Sequence, residues 1–132
     1  VYHLLSLLES DAAGVVAQTA TPAQQIELTA IHAELEAAVY PGPVNRERFF
    51  SANERFHLAL LRIANNRWRD QMVLDLRKVM KLNRHHSLFK TGRVEDSLVE
   101  HRAVLAALLA RDRDLSALRM REHFANGLEA AV

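Results

Sequence analysis

Four polar side chains occupy positions where the helical spacing of the sequence predicts apolar ones. Asn53 and His57 are four residues apart, so they lie on one face of a helix. His101 and His123 each interrupt an apolar stripe further along the chain. A buried polar group costs a few kcal/mol unless it is hydrogen-bonded or bound to a ligand. These four residues are therefore the first candidates for chemistry.

A helical hairpin would bring the two later histidines together. His101 and His123 are equidistant from residue 112, in the middle of a charged connection between two helices. Residues equidistant from the turn of an antiparallel hairpin lie at the same height, so the two rings should face each other. If the helix of Asn53 and His57 packs against this pair, three imidazoles and one amide oxygen converge. Such a set suits a divalent metal ion, with zinc or nickel first and manganese or iron as further options.

Three basic residues on one helix face are candidates for binding an anionic ligand. Arg77, Lys81 and Arg84 repeat at spacings of four and three, at about the expected height of His101. An arginine there can form a bidentate pair with a carboxylate. Ser97, one turn before His101, could donate to that anion or orient an imidazole that binds the metal. The alternative for each of these residues is a place on the solvated helix surface.

Other noticeable residues are not assigned to the site. Trp68 and Met72 are predicted to lie in the core rather than in a pocket. The remaining histidines show no comparable arrangement, and the two near the end of the fourth helix are interpreted as surface or helix-end residues. These histidines are His3, His32, His85 and His86.

The chain is predicted to be all-α, an antiparallel bundle of about six to seven helices. Apolar residues recur at helical spacing, no stretch alternates like a strand, and the three prolines and two of the four glycines fall at breaks. Thr21 and Pro22 form a helix start, and Asp114 is expected to cap the last helix. Short loops imply antiparallel neighbours. The predicted helices cover about residues 2–18, 22–40, 45–64, 68–88, 94–110 and 115–130.

Length and composition restrict the classes of function. A chain of 132 residues is expected to be one domain with a hydrophobic core. The net charge of +1 indicates that this segment alone does not grip nucleic acid, and the lack of cysteine excludes disulfides and thiol catalysis. The longest apolar run, residues 103–110, is far shorter than the ~20 residues of a membrane span. No export signal opens the chain, so a cytoplasmic location is expected, and the abrupt helical start at Val1 indicates a fragment of a longer protein.

Several segments resemble a known family. Residues 53–57, Asn-Glu-Arg-Phe-His, resemble the Asp/Asn-x-x-Phe-His signature of the FCD domain, the C-terminal ligand-binding domain of FadR-subgroup GntR-type transcription regulators. Residues 97–108 resemble its Ser-x-x-Glu-His-x-x-Ile-x-x-Ala-Leu segment, and residues 120–123 resemble its closing Met-Arg-x-His. Leu8-Glu9 is similar to part of the family's first helix. The resemblance covers essentially the whole chain.

This resemblance implies a function and partners. It implies that Asn53, His57, His101 and His123 hold a metal ion and that a small organic acid binds beside it. It also implies a homodimer that contacts DNA only through a winged helix-turn-helix domain N-terminal to this segment, with no role for a membrane. Two positions depart from the family pattern: Asn53 stands where many members have Asp, and Leu5 where the family often has Arg. An amide binds metal more weakly than a carboxylate, and it leaves the full charge of the ion for an anionic effector.

Two other functions stay open beside the sensor. Three histidines around a metal with open positions can activate water, which would suit a mononuclear hydrolase with Glu54, Glu100 or Glu122 as the base. A di-iron enzyme would need the Glu-x-x-His motif twice, and this chain has it once. The polar cluster could instead bond to itself in a purely structural helical module. Metal content separates the structural module from the rest, and turnover of small esters or phosphates separates enzyme from sensor.

Overall fold

The computed structural model describes the backbone of residues 1–90 and 92–131 and the side chains of residues 1–82, 90 and 92–128. Within this part the chain forms six helices and no strand, which confirms the all-α prediction. The observed helices agree with the predicted ones to within two residues at each end. They are α1 (Tyr2–Thr19), α2 (Pro22–Val39), α3 (Arg46–Ala64), α4 (Arg67–Phe89), α5 (Arg93–Leu109) and α6 (Arg113–Ala131).

Short polar side chains determine where three of the helices begin. The hydroxyl of Thr21 accepts a hydrogen bond from the backbone N–H of Gln24, and the Gln24 side chain accepts one from the backbone N–H of Thr21. This reciprocal pair is a capping box. The side-chain oxygens of Asn45 and Asn66 accept backbone N–H groups at the starts of α3 and α4. Each cap satisfies donors that the first helical turn leaves open.

The cap of α6 differs from the predicted one. Oδ1 of Asp112 accepts the backbone N–H of Leu115 at 3.0 Å, so Asp112 is the capping residue. The prediction that Asp114 caps α6 is wrong, because the helix begins at Arg113 and Asp114 already lies in its first turn. There Asp114 places negative charge at the positive end of the helix dipole.

Helix α1 lies at the centre of the bundle. It packs most extensively against α6 and also contacts α3, α4 and α5. Helices α5 and α6 form a hairpin around residues 110–112. The helices that carry the predicted site residues are therefore arranged around α1, and the side chains between them are buried.

The prediction that Trp68 and Met72 lie in the core is wrong. Trp68 is 69% exposed and Met72 is 53% exposed, so neither is a core residue. The face of α4 that packs inward is instead defined by Val73, Arg77 and Met80. The apolar spacing of α4 is real, but part of it follows the outer face of the helix. None of the described helices is long and apolar enough to cross a membrane.

Candidate metal and effector site

Three imidazoles meet in the interior of the bundle. The ring centroids of His101 and His123 are 4.7 Å apart, and the centroid of His57 lies 5.2 Å and 5.4 Å from them. The expected approach of His101 and His123 across the α5–α6 hairpin is thus present. One ring nitrogen of each residue lies within 4.8 Å of those of the other two. Zinc–imidazole bonds are about 2.0–2.1 Å long, so one ion can reach all three nitrogens after small side-chain movements.

A buried carboxylate on α1 orients His57. Oε1 of Glu9 lies 2.6 Å from Nδ1 of His57, and Glu9 also accepts two hydrogen bonds from the guanidinium of Arg77. Burial alone would raise the pKa of Glu9, but Arg77 and His57 together lower it to about 2. The carboxylate is therefore ionised at neutral pH and accepts the Nδ1–H group of His57. Nε2 of His57 then keeps a free lone pair, as a metal ligand requires.

Glu100 makes the same contact with His123. Its Oε1 lies 2.6 Å from Nδ1 of His123, and Arg93 donates to both carboxylate oxygens at 2.7 and 2.8 Å. Asn126 donates a further hydrogen bond of 3.0 Å. Burial would raise the pKa of Glu100, but the hydrogen bonds from His123 and Arg93 lower it to about 2. Two hydrogen-bonded triads, each of a histidine, a glutamate and an arginine, therefore flank the cluster.

The environment favours the neutral form of two of the imidazoles, His57 and His101. Burial lowers the pKa of His57 to about 4, with a further lowering by Arg77 that Glu9 partly offsets. Burial also lowers the pKa of His101 well below its ordinary value, and the neighbouring histidines act in the same direction. Neutral imidazole is the form that binds metal, so the rings of His57 and His101 are in a form that can bind an ion at neutral pH.

Several buried nitrogen and oxygen atoms at the cluster have no hydrogen-bond partner among the described residues. They include Oδ1 of Asn53 and both ring nitrogens of His101. An unsatisfied buried polar group costs about 1–3 kcal/mol. A bound group that accepts these lone pairs would offset that cost.

A cavity of about 60 Å³ opens beside the histidines. One water molecule needs roughly 10–15 Å³ by the same measure, so the cavity has room for a few waters or a small ligand. Its wall combines aromatic and aliphatic groups with the arginines that hold Glu9 and Glu100. The lining residues are Tyr2, Phe49, Asn53, His57, Arg77, Met80, Arg93, Ser97, His123, Phe124 and Gly127.

The four predicted effector residues lie in different places. Arg77 and Ser97 are buried and line the cavity, although the guanidinium of Arg77 is already paired with two glutamates. Lys81 is half-exposed, and its Nζ lies 3.1 Å from Oε2 of Glu54. In the described part of the chain it does not belong to the cavity wall. The side chain of Arg84 lies outside the described residues.

Two charged residues of the site, Glu9 and Arg93, were not predicted from the sequence. Glu9 interrupts the apolar face of α1 between Leu5 and Ala12, so the criterion that selected the histidines would also have found it. Arg93 is the first residue of α5, where a basic side chain is ordinarily solvated. No local signal marks it, because its partner Glu100 lies two turns further along the same helix.

The comparisons with known proteins agree with this fold. The family model of the FCD domain matches residues 1–126, so the chain belongs to the FCD domain family, the ligand-sensing regulatory domain of GntR-type regulators. Among solved structures, E. coli McbR/YncC is similar with a TM-score of 0.85 and 21% sequence identity. The match covers 98% of this chain but 61% of that chain, and at this identity it shows the fold alone. A search of curated proteins found no match.

Proposed function

We propose that this chain is the effector-sensing domain of a bacterial transcription regulator of the GntR/FadR type. One divalent metal ion, zinc or nickel, is held by Asn53, His57, His101 and His123. A small organic acid binds beside the ion in the adjoining cavity. The regulator would respond to the acid when it is bound to the metal-loaded domain.

The strongest support is a set of buried nitrogen and oxygen atoms that are available to bind a ligand. The Nδ1 atoms of His57 and His123 are occupied by carboxylates, which leaves their Nε2 atoms available. Both nitrogens of His101 and Oδ1 of Asn53 are buried without a partner among the described residues. Three imidazole nitrogens and one amide oxygen fit zinc or nickel. Carboxylates that hold the outer nitrogens are usual partners of metal-bound histidines.

The charge of the site favours an anion as the effector. Imidazole binds a metal ion in its neutral form, so a ligand set of three imidazoles and one amide carries no charge, and a bound ion would supply two uncompensated positive charges at the edge of the cavity. Arg77 and Arg93 add positive groups to the wall, each balanced by glutamate. The cavity of about 60 Å³ limits the ligand to a small molecule. These features suit a compact carboxylate.

The chain's own residues would orient the acid. The guanidinium groups of Arg77 and Arg93 and the hydroxyl of Ser97 provide hydrogen-bond donors in the cavity wall. Lys81 acts on this wall indirectly, since it shares Glu54 with Arg77. Arg84 stays proposed as a further basic residue on α4.

Effector binding can be transmitted through α1. Tyr2, near the start of α1, and Gly127 of α6 line the same cavity, and a Cβ atom on Gly127 would lie 3.3 Å from the Tyr2 ring. The family's winged helix-turn-helix domain, which would make the DNA contacts, precedes this helix. A ligand that is bound more tightly by one arrangement of α1 against α6 shifts the population towards it.

Helices α1 and α4 carry a surface that suits the expected homodimer. Leucines of α1 and apolar residues of α4 line a groove of about 320 Å³. Four exposed apolar residues of α4, at steps of four, seven and three, share one helix face, as in helices that pack against each other. Monomeric proteins rarely expose large continuous apolar patches. We call this the α1–α4 surface; its exposed members are Leu4, Leu7, Trp68, Met72, Val79 and Leu82.

A hydrolase has less support. Each of the three candidate bases is engaged by a basic residue: Glu54 by Arg77, Glu100 by Arg93, and Glu122 by a neighbour on α6. A general base must be free to accept a proton near neutral pH. Although burial would raise the pKa of Glu100, its hydrogen bonds lower it to about 2, which makes it a weak base.

Elemental analysis of the purified protein, with thermal unfolding before and after chelation, tests the metal part. About one zinc or nickel ion per chain and a lower melting temperature after chelation are expected. Small mono- and dicarboxylates are then added to metal-loaded and metal-free protein, and stabilisation only of the loaded form is expected. Absence of metal, with no stabilisation by added divalent ions, would contradict the proposal and favour a structural module.

A further inference from the structure

A third hydrogen-bonded triad of a histidine, a glutamate and an arginine lies next to His101. His32 on α2 is 8% exposed, and its Nε2 lies 3.1 Å from Oε1 of Glu36. Glu36 accepts two hydrogen bonds from Arg102, at 2.5 and 2.6 Å. Arg102 directly follows His101 on α5. The triad has the same residue types in the same order as the two triads that contain His57 and His123.

His32 and His101 lie at the same height of the α2–α5 interface. Each histidine stands between two core leucines of its own helix, four residues from one and three from the other. The leucines four residues away share one apolar cluster, and those three residues away share the other. The two helices are therefore antiparallel neighbours with matching offsets, so the two histidines lie at the same level of the interface, and no direct hydrogen bond joins their rings. The flanking leucines are Leu28 and Leu35 on α2 and Leu105 and Leu98 on α5.

The two rings have complementary free nitrogens. The hydrogen bonds from Arg102 lower the pKa of Glu36 against the effect of burial, so its carboxylate accepts Nε2–H of His32. With the proton of the ring on Nε2, Nδ1 of His32 is an acceptor, and it is buried without a partner among the described residues. When one nitrogen of His101 binds a metal ion, the other carries a proton and is also buried without a partner. One ring thus offers a buried acceptor and the other a buried donor.

We infer that His32 accepts a hydrogen bond from the outer N–H of His101, through one water molecule or after a small movement of the rings, and thereby positions His101 for the metal ion. For its metal part this inference rests on the proposed function. His32 completes a pattern in which Glu9 and Glu100 hold the other two imidazoles, so all three ligand rings have a fixed tautomer. Because its own ring does not bind the ion, His32 is a positioning residue.

Two substitutions of His32 test this role. His32→Leu fills the space without an acceptor, and His32→Gln retains an acceptor oxygen. Nitrogen-15 NMR of the histidine side chains should show a slowly exchanging outer N–H of His101 in the zinc-loaded wild type and in His32→Gln, but not in His32→Leu. Zinc affinity should fall roughly 10–100-fold in His32→Leu and recover in part in His32→Gln. His3→Leu, at an exposed histidine, is the matched control and should change neither readout.

The outcomes separate this inference from the proposed function. If the wild type binds zinc and His32→Leu keeps both the His101 signal and the affinity, the role of His32 is overturned and the metal site stands. If the wild type does not bind zinc, the metal site is contradicted. Spectra of metal-free protein then test the hydrogen bond between His101 and His32. A change of the His101 signals in His32→Leu but not in His3→Leu then supports it, and identical spectra overturn it. If His32→Leu does not fold, the exchange rate of the His101 N–H in the wild type is the test, and rapid exchange overturns the inference.

Discussion

Nδ1 of His57 lies 2.6 Å from Oε1 of Glu9, and both side chains are almost completely buried, at 1% and 2% exposed. The same carboxylate is paired with Arg77. One buried charge thus connects a histidine of α3, an arginine of α4 and the central helix α1. Loss of that charge should affect both the stability of the bundle and the tautomer of a proposed metal ligand.

Glu9→Gln tests this connection with almost no change in volume. The substitution leaves Arg77 with less compensation inside the bundle and no longer fixes the proton on Nδ1 of His57. We expect the free energy of unfolding to fall by about 3 kcal/mol and zinc affinity to fall roughly 10–100-fold. Chemical denaturation and metal titration measure the two effects. Glu34→Gln, which breaks an exposed pair with Arg48, should cost less than about 1 kcal/mol, and equal losses in both variants would contradict the assignment.

His101→Ala should abolish stoichiometric metal binding. Its ring is close to both other imidazoles, so its removal leaves two histidines and a weak amide. Because metal binding is linked to folding, the variant should also lose the stabilisation that added zinc gives the wild type. Elemental analysis and thermal unfolding with and without chelator are the measurements. An unchanged metal content in His101→Ala, as is expected for the control His3→Ala, would remove His101 from the ligand set.

Asn53→Asp should have opposite effects on metal and effector. A carboxylate oxygen binds a divalent ion more strongly than an amide oxygen, so competition with a chelator should reveal tighter metal binding. The added negative charge also reduces the positive potential in the cavity, so carboxylates should bind more weakly to the loaded protein. In metal-free protein the buried carboxyl lacks compensation and should lower stability. Equal metal affinity in Asn53→Asp and Asn53→Leu would show that position 53 does not ligate the ion.

The stability of the metal-free protein should fall as the pH falls from about 6.5 to 4. Burial lowers the pKa of His57 from 6.5 to about 4, and it lowers that of His101 as well. In this window the unfolded chain takes up protons that the folded chain resists, so each imidazole contributes a slope of up to about 1.4 kcal/mol per pH unit. Glu9 and Glu100, whose pKa values fall from 4.5 to about 2 because their basic partners outweigh burial, add a further loss only below about pH 4.5.

Denaturant titrations in chelator across this range measure the effect. His57→Gln removes one titrating imidazole and should flatten the slope between pH 6.5 and 4. A stability that is constant from pH 7 to 5 would contradict the buried neutral state of the histidines. Zinc-loaded protein should lose its metal over the same acidic range, because protons compete for the ligand nitrogens.

The helices and part of the site could be predicted from the sequence because local rules fix them. Caps and breaks such as Thr21 gave helix boundaries close to the observed ones, and equal distances from a turn placed His101 opposite His123. The failures are also physical. Helical spacing cannot distinguish an apolar face that packs in the core from one that stays on the surface, so Trp68 and Met72 were placed wrongly.

The supporting shell of the site could not be derived in the same way. The contact of Glu9 with His57 joins residues 48 positions apart, and no turn geometry relates them. The height match of His32 and His101 depends on α2 and α5 becoming neighbours, which their spacing in the sequence does not determine. Local patterns therefore identified ligand candidates, whereas the groups that orient them needed the tertiary packing.

The α1–α4 surface predicts the effect of a charge on assembly. Met72 is 53% exposed at the groove between α1 and α4, and a second copy that covers this groove would bury it. Met72→Glu places a charge in that contact, so sedimentation over a range of concentrations should show at least a tenfold weaker dimer, equivalent to about 1.4 kcal/mol. Ile26→Glu is the control, because Ile26 is 71% exposed at a separate apolar groove of α2. Dissociation by Ile26→Glu with an intact Met72→Glu dimer would assign the contact to α2 instead.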